Sequence, residues 1–196
     1  MVTPQGGAES GAGAGAGAES GAAGGGAGWG GLGRALVPVC ARMGHVASDI
    51  VRCDTCGKKN RVPAAAHGVP KCGNCGAWLP WVVDTTEDQF HEVVENATIP
   101  VVVDLWAPWC GPCRMVSPAL EALARQFANR IKLVKVNVDG APGLSRRFDV
   151  QSIPTLLLMR GSEVISRQIG AVPEAALRQW IEAGLAGGKG ADTLRG

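Results

Sequence analysis

A chain of 196 residues has room for one full domain and a small appendage. Its 19 Lys and Arg against 17 Asp and Glu leave a net charge of +2 with no basic block, which argues against nucleic acid or a membrane surface as the principal partner. No apolar run reaches the roughly 18 residues that a membrane span needs. The N-terminus lacks a basic start followed by an apolar core, so no secretory signal is expected, and Glu9, Glu19 and a scarcity of Arg speak against a transit peptide. Seven cysteines in such a chain point to metal or redox chemistry in a reducing, cytoplasm-like compartment.

Residues 1–46 are dominated at first by Gly and Ala, with Ala-Glu-Ser-Gly repeated at 8–11 and 18–21. This composition cannot bury enough apolar surface to offset the entropy of ordering, and a disordered tail is expected. Composition shifts at Met43, a possible true start of translation. Cys40 reads as a bystander thiol.

Residues 47–78 form a second unit. Cys53 and Cys56, a 15-residue interval, then Cys72 and Cys75 give the spacing of a four-thiolate zinc site. Zinc takes four sulfurs tetrahedrally, and each tight C-x-x-C turn offers two. Gly57 and Gly76, each directly after its pair, suit the positive φ of such a knuckle. So short a segment has little core of its own, so bound metal should supply much of its folding energy. His67 lies between the pairs as a possible substitute ligand, but with four cysteines available it reads as a loop histidine. Lys58, Lys59, Arg61 and Lys71 are the whole case for a nucleic-acid-binding ribbon, and a basic knuckle is usually a solvated face.

Residues 79–188 read as α/β, and 189–196 as a frayed end. Trp81-Val82-Val83 suggests a short strand. Thr85 and Thr86 offer N-caps for a helix through Val93 and Val94. Residues 101–106 are a β-branched run buried on both faces. Next comes Trp109-Cys110-Gly111-Pro112-Cys113, and then Leu120, Leu123, Ala124 and Phe127 at helical spacing, with Pro118 expected to kink that helix. Residues 131–138 predict a strand, 142–149 a short helix, 156–165 a hairpin turning at Arg160-Gly161-Ser162-Glu163, and Glu174 to Leu185 a last helix. The order β-α-β-α-β-α-β-β-α implies a central sheet with helices on both faces.

Cys110 falls at a helix start, where unpaired N–H groups and the helix dipole favour a thiolate, the reactive form of cysteine. With Cys113 it suggests a dithiol/disulfide redox centre. Asp104, a lone acid in an apolar strand, is a candidate base whose pKa burial should raise. Structural pairing with Lys135 is the alternative.

These residues together resemble the thioredoxin family, and the resemblance covers residues 80–186. Beyond the C-x-x-C turn, Asp104 matches the family's buried acid, Lys135 the lysine near it, Pro118 the helix kink, Ile153-Pro154-Thr155 the loop holding a cis-proline, and Gly170-Ala171 the groove glycine. With the four-cysteine module in front, the chain most resembles zinc-containing thioredoxins of the thioredoxin 2 type. The resemblance implies a thioredoxin fold with a central mixed sheet, and a protein disulfide reductase acting by thiol–disulfide exchange. Cys110 would attack and Cys113 resolve, while Gly111 and Pro112 shape the turn and go with a reducing poise. Trp109, Ile153, Pro154, Thr155, Gly170 and Ala171 would form the substrate groove. One Zn²⁺ and no organic cofactor are expected, with oxidised proteins as substrates, thioredoxin reductase as electron donor, no nucleic acid or membrane partner, a monomeric state and a cytoplasmic location. A second reading makes the zinc module the primary unit, a redox-sensing interaction device.

Overall fold

The computed structural model describes residues 48–66 and 68–187. The expectations for residues 1–46, Cys40, Met43, His67 and residues 189–196 lie outside the described residues.

Two strands open the fold, β1 (Ser48–Arg52) and β2 (Lys59–Pro63), paired antiparallel with Arg52 opposite Lys59. The first cysteine knuckle joins them. Its backbone closes through Cys53 N–H to Lys58 O at 2.9 Å and Gly57 N–H to Cys53 O at 2.8 Å. The second knuckle repeats the pattern, Cys72 N–H to Ala77 O at 2.8 Å and Gly76 N–H to Cys72 O at 3.0 Å. Gly57 and Gly76 both sit at φ +73°, the left-handed region that glycine enters without a Cβ penalty.

A five-stranded mixed sheet follows, built from β3 (Val82–Thr85), β4 (Val101–Trp106), β5 (Lys132–Asn137), β6 (Thr155–Arg160) and β7 (Glu163–Ile169) in the order β3-β5-β4-β6-β7. β3 and β4 run parallel to β5, while β6 is antiparallel to both β4 and β7. The central strand β4 is buried from Val101 to Leu105, the reason its sequence carries no alternation. Three helices pack on this sheet: α1 (Gly111–Gln126), α2 (Pro142–Arg147) and α3 (Glu174–Leu185).

The two sheet faces have different covers. Val102, Leu133, Leu156 and Leu158 meet Leu120 and Leu123 of α1 and Leu177 and Ile181 of α3. On the opposite face Val83, Val103, Val134 and Leu157 meet Phe90, Val93, Leu144 and Phe148. Val62 and Ala64 of the four-cysteine module, with Leu79 just after it, belong to this same second cluster. The module therefore shares an apolar core with the larger domain.

The helix expected through Val93 is a single π-type turn, His91–Glu95, with Asn96 N–H bonded to His91 O at 3.1 Å. The Val93 carbonyl accepts from Lys132 Nζ instead of continuing a helical ladder. Gly161 takes φ +61° at the β6–β7 turn, and the Ile153–Pro154 peptide is cis.

Candidate active site and metal centre

Cys110 ends the loop after β4 and serves as the N-cap of α1, with φ −77° and ψ 103°. Its Sγ accepts the Cys113 N–H at 3.1 Å. That bond satisfies a helix-start donor and places sulfur where the helix dipole favours negative charge. Pro112 is tolerated because the first turn needs no N–H from it. Cys110 and Cys113 are joined as a disulfide, and both are nearly enclosed at 3% and 1% exposure. They pack with Ala107, Trp106, Val138 and Ile153.

The loop before β6 meets this sulfur from the other side. The Ile153 carbonyl oxygen lies 3.8 Å from Cys110 Sγ, immediately before the cis bond to Pro154. Gly170, at φ +82°, donates its N–H to the Pro154 carbonyl at 2.8 Å and ties the end of β7 to this loop. Trp109 is 69% exposed, and its Nε1 donates to the Asp139 carboxylate at 3.1 and 3.2 Å. A concavity of about 380 Å³ runs past it, lined by Trp109, Val138, Val150, Gln151, Ser152 and Ile153 among others. Asp139, Val138 and Val150 are absent from the sequence reading, because their approach to the redox turn depends on how β5 and α2 pack. Thr155, expected on the groove, is 1% exposed and bonds inward to the Ser152 carbonyl at 2.6 Å, since as the first residue of β6 it lies within the sheet.

Asp104 is 1% exposed at the centre of β4. Burial pushes its carboxyl up to about 7; Lys135 opposes the rise, and Asp84 and Glu121 reinforce it. Lys135 is the register partner of Asp104 on β5, yet its Nζ pairs with Glu121 of α1 at 3.2 Å. Asp104 Oδ1 is left without a hydrogen-bond partner. A closed Asp104–Lys135 structural pair is therefore not what forms.

In the module, Cys53, Cys56, Cys72 and Cys75 bring their four Sγ atoms within 4.8 Å of one another. The Cys53–Cys75 and Cys56–Cys72 sulfurs are each 3.6 Å apart. Four sulfurs at about 2.3 Å from a tetrahedral zinc would be separated by about 3.8 Å, so the set fits that ion. Cys53 and Cys72 are buried while Cys56 and Cys75 are exposed. Backbone N–H groups of Cys75 and Asn74 pull the Cys72 thiol down to about 6. Cys75 moves the other way: despite the bond from the Ala77 backbone, the Cys56 sulfur, burial, and then Cys53 and Cys72 push it up to about 12. Thiols so crowded cannot all ionise without a cation among them.

Comparison with known proteins bears on the redox site. The family model described as Thioredoxin matches residues 81–183. The chain is 45% identical over 100 residues to a thioredoxin of Haemophilus influenzae, covering 51% of this chain and 94% of that protein. It is 40% identical over 136 residues to thioredoxin C-3 of Corynebacterium nephridii, covering 68% of this chain and 93% of that protein. It is 43% identical over 97 residues to thioredoxin 1 of a Nostoc species, covering 50% of this chain and 91% of that protein. The Corynebacterium alignment is longer than 81–183 and so takes in residues outside that span.

Proposed function

Because the chain belongs to the thioredoxin family and is a thioredoxin-type disulfide oxidoreductase, we propose that it is a zinc-containing protein disulfide reductase of the thioredoxin 2 type. The observation that carries the reductase chemistry is Cys110 Sγ at the start of α1, accepting the Cys113 N–H beside the Ile153 carbonyl.

In the reduced protein, Cys110 as thiolate attacks one sulfur of a substrate disulfide. An S–S bond forms to the substrate, the substrate's own S–S bond breaks, and a substrate thiolate leaves. Cys113 then attacks Cys110 Sγ, which releases the second substrate thiolate and leaves the Cys110–Cys113 disulfide. Two electrons pass from the dithiol to the substrate. Asp104 takes the proton of Cys113 in the second step, a role supported by its burial and its rise to about 7. Lys135 moderates that rise. Gly111 and Pro112 shape the turn, and Ile153, Pro154, Trp109, Gly170 and Ala171 frame the groove in which an extended substrate would lie along the Ile153 carbonyl. Oxidised proteins are the substrates, and thioredoxin reductase restores the dithiol.

Cys53, Cys56, Cys72 and Cys75 would hold one Zn²⁺, whose chemistry here is structural: it neutralises four thiolates and closes both knuckles. Insulin reduction by protein with and without zinc, beside a Cys110→Ser control, tests the whole assignment. Activity lost in Cys110→Ser and retained at least in part after zinc removal is expected. Activity surviving in Cys110→Ser would overturn it.

The exposure of Cys56 and Cys75 favours a second reading, in which oxidants reach the module and eject the metal to change partners or activity. Peroxide titration with zinc release and insulin reduction followed together decides between them. Zinc that stays bound, or leaves with no effect on activity or binding, rejects the switch.

A further inference from the structure

Asp104 shares its sheet face with two charges from neighbouring strands. Asp84 of β3 and Asp104 of β4 are both register partners of Lys135, which lies on β5 between them. Val102 and Leu133, two residues earlier on β4 and β5, pack on α1, so this trio faces α1 as well. There Glu121 waits, and takes the Lys135 ammonium at 3.2 Å. Exposure falls steadily inward. Asp84 lies exposed on the edge strand, Glu121 is 45% exposed, Lys135 17% and Asp104 1%.

We propose that Glu121 and Asp84 are positioning residues for the reaction, which draw the Lys135 ammonium to the solvent side and so leave the Asp104 carboxyl without an ion-pair partner. The inference rests on the reading of Asp104 as the base for Cys113. Three observations carry it: the shared register, the Lys135–Glu121 ion pair, and the unpartnered Asp104 Oδ1. A buried carboxylate with one available ammonium would ordinarily take it, because pairing offsets the cost of burying charge. Here two outer acids compete for that ammonium, and each also repels charge on Asp104. The direction of both effects agrees with Asp84 and Glu121 raising Asp104 while Lys135 lowers it.

The remaining groups facing this cluster are few. Asp49 of β1 faces Asp84 and pushes it in the same direction as burial does. Arg125, one turn beyond Glu121 on α1, pairs with Asp54 at 3.6 Å. Asp54, Arg125 and Glu121 line the groove of about 410 Å³ that runs between β1 and α1. The solvent end of the cluster therefore opens beneath the four-cysteine module, and not at the substrate groove.

The test uses the full zinc-loaded chain as Glu121→Gln, Asp84→Asn and the double variant, each also made with Asp104→Asn. Carbon NMR titration of the Asp104 carboxyl and the pH profile of kcat/KM for insulin reduction are measured together. The expected result is a fall in both midpoints of about half a pH unit for each single variant and about one unit for the double, modest because the outer acids are partly screened by water. The shift in the pH profile should vanish in the Asp104→Asn background. An Asp104 midpoint unchanged in the double variant overturns the proposal, as does a profile shift that persists without Asp104. If Asp104→Asn alone leaves the profile intact, the assignment of the base fails, while the carboxyl titration still judges the roles of Glu121 and Asp84.

Discussion

Lys132 Nζ donates to the carbonyl oxygen of Ala64 at 2.5 Å, across 68 positions of sequence, and so joins the first residue of β5 to the end of β2. It also bonds the Val93 carbonyl and lies 4.3 Å from the centre of the Trp81 ring. Trp81 in turn donates Nε1 to the Pro63 carbonyl at 2.9 Å. Two consecutive carbonyls of the module are thus held by Trp81, just before β3, and Lys132 of β5. Lys132 is 1% exposed, and among the described residues it has no carboxylate partner.

Burial alone pulls the Lys132 ammonium down to about 8. The folded protein therefore binds this proton less tightly than the unfolded chain, whose lysines titrate near 10.4. Below pH 8 both states are protonated and the burial penalty is constant. Between pH 8 and about 10.4 the unfolded state holds more protons, so stability should rise with pH by up to about 3 kcal/mol from this group. Urea unfolding of wild type and Lys132→Met at pH 7.5, 9 and 10 checks this: the difference between them should shift in favour of wild type as pH rises. A pH-independent difference would show that burial does not lower the Lys132 ammonium.

Asp104 gives the opposite slope. Its folded pKa of about 7 lies above the unfolded value near 3.9, so the folded state holds the extra proton and stability falls as pH rises between them. The loss amounts to as much as about 4 kcal/mol by pH 8. Asp104→Asn should remove that slope, leaving the variant more stable than wild type at pH 8 yet slower in insulin reduction. Thermal unfolding at pH 5 and pH 8 measures the first effect.

Gly184 in α3 lies against the fully buried Leu158 of β6. A Cβ there would come within 2.1 Å of Leu158 Cδ2. Gly→Ala in a helix interior ordinarily gains about 1 kcal/mol. Here overpacking should cost about 1–3 kcal/mol against that gain, because the enclosed Leu158 side chain has to shift to admit a Cβ. Gly184→Ala should therefore unfold at lower urea than wild type; equal or greater stability would mean that α3 can lift off the sheet.

At Gly57 and Gly76 the constraint is conformational instead. A Cβ would meet nothing within 4 Å at either, but φ is +73° at both. Each Gly→Ala change should cost about 1 kcal/mol through backbone strain, lowering zinc affinity several-fold, whereas Gly→Asn should be milder because Asn tolerates the left-handed region. Competition with a colorimetric zinc chelator reads the ratio.

Much of the fold could be read from periodicity and punctuation. The buried strand at 101–106, the helix after Cys113 and the turn at Gly161 follow from local rules that need no partner. The first helix did not, because the Val93 carbonyl is captured by Lys132 from a distant strand. The core that the four-cysteine module shares with the sheet was not legible either: Val62, Ala64 and Leu79 follow no period that shows they meet Val83 and Phe90.

The candidate sites divide along the same line. The C-x-x-C pairs, the positive-φ glycines and the helix-start placement of Cys110 were set by the sequence itself, since each depends on residues within a few positions of one another. What Asp104 faces was decided only by the tertiary structure. Strand register sets Lys135 beside it, and α1 brings Glu121 within reach of that lysine. Coulomb interactions depend on distance through space, and sequence spacing says nothing of which of two acids a single ammonium will choose.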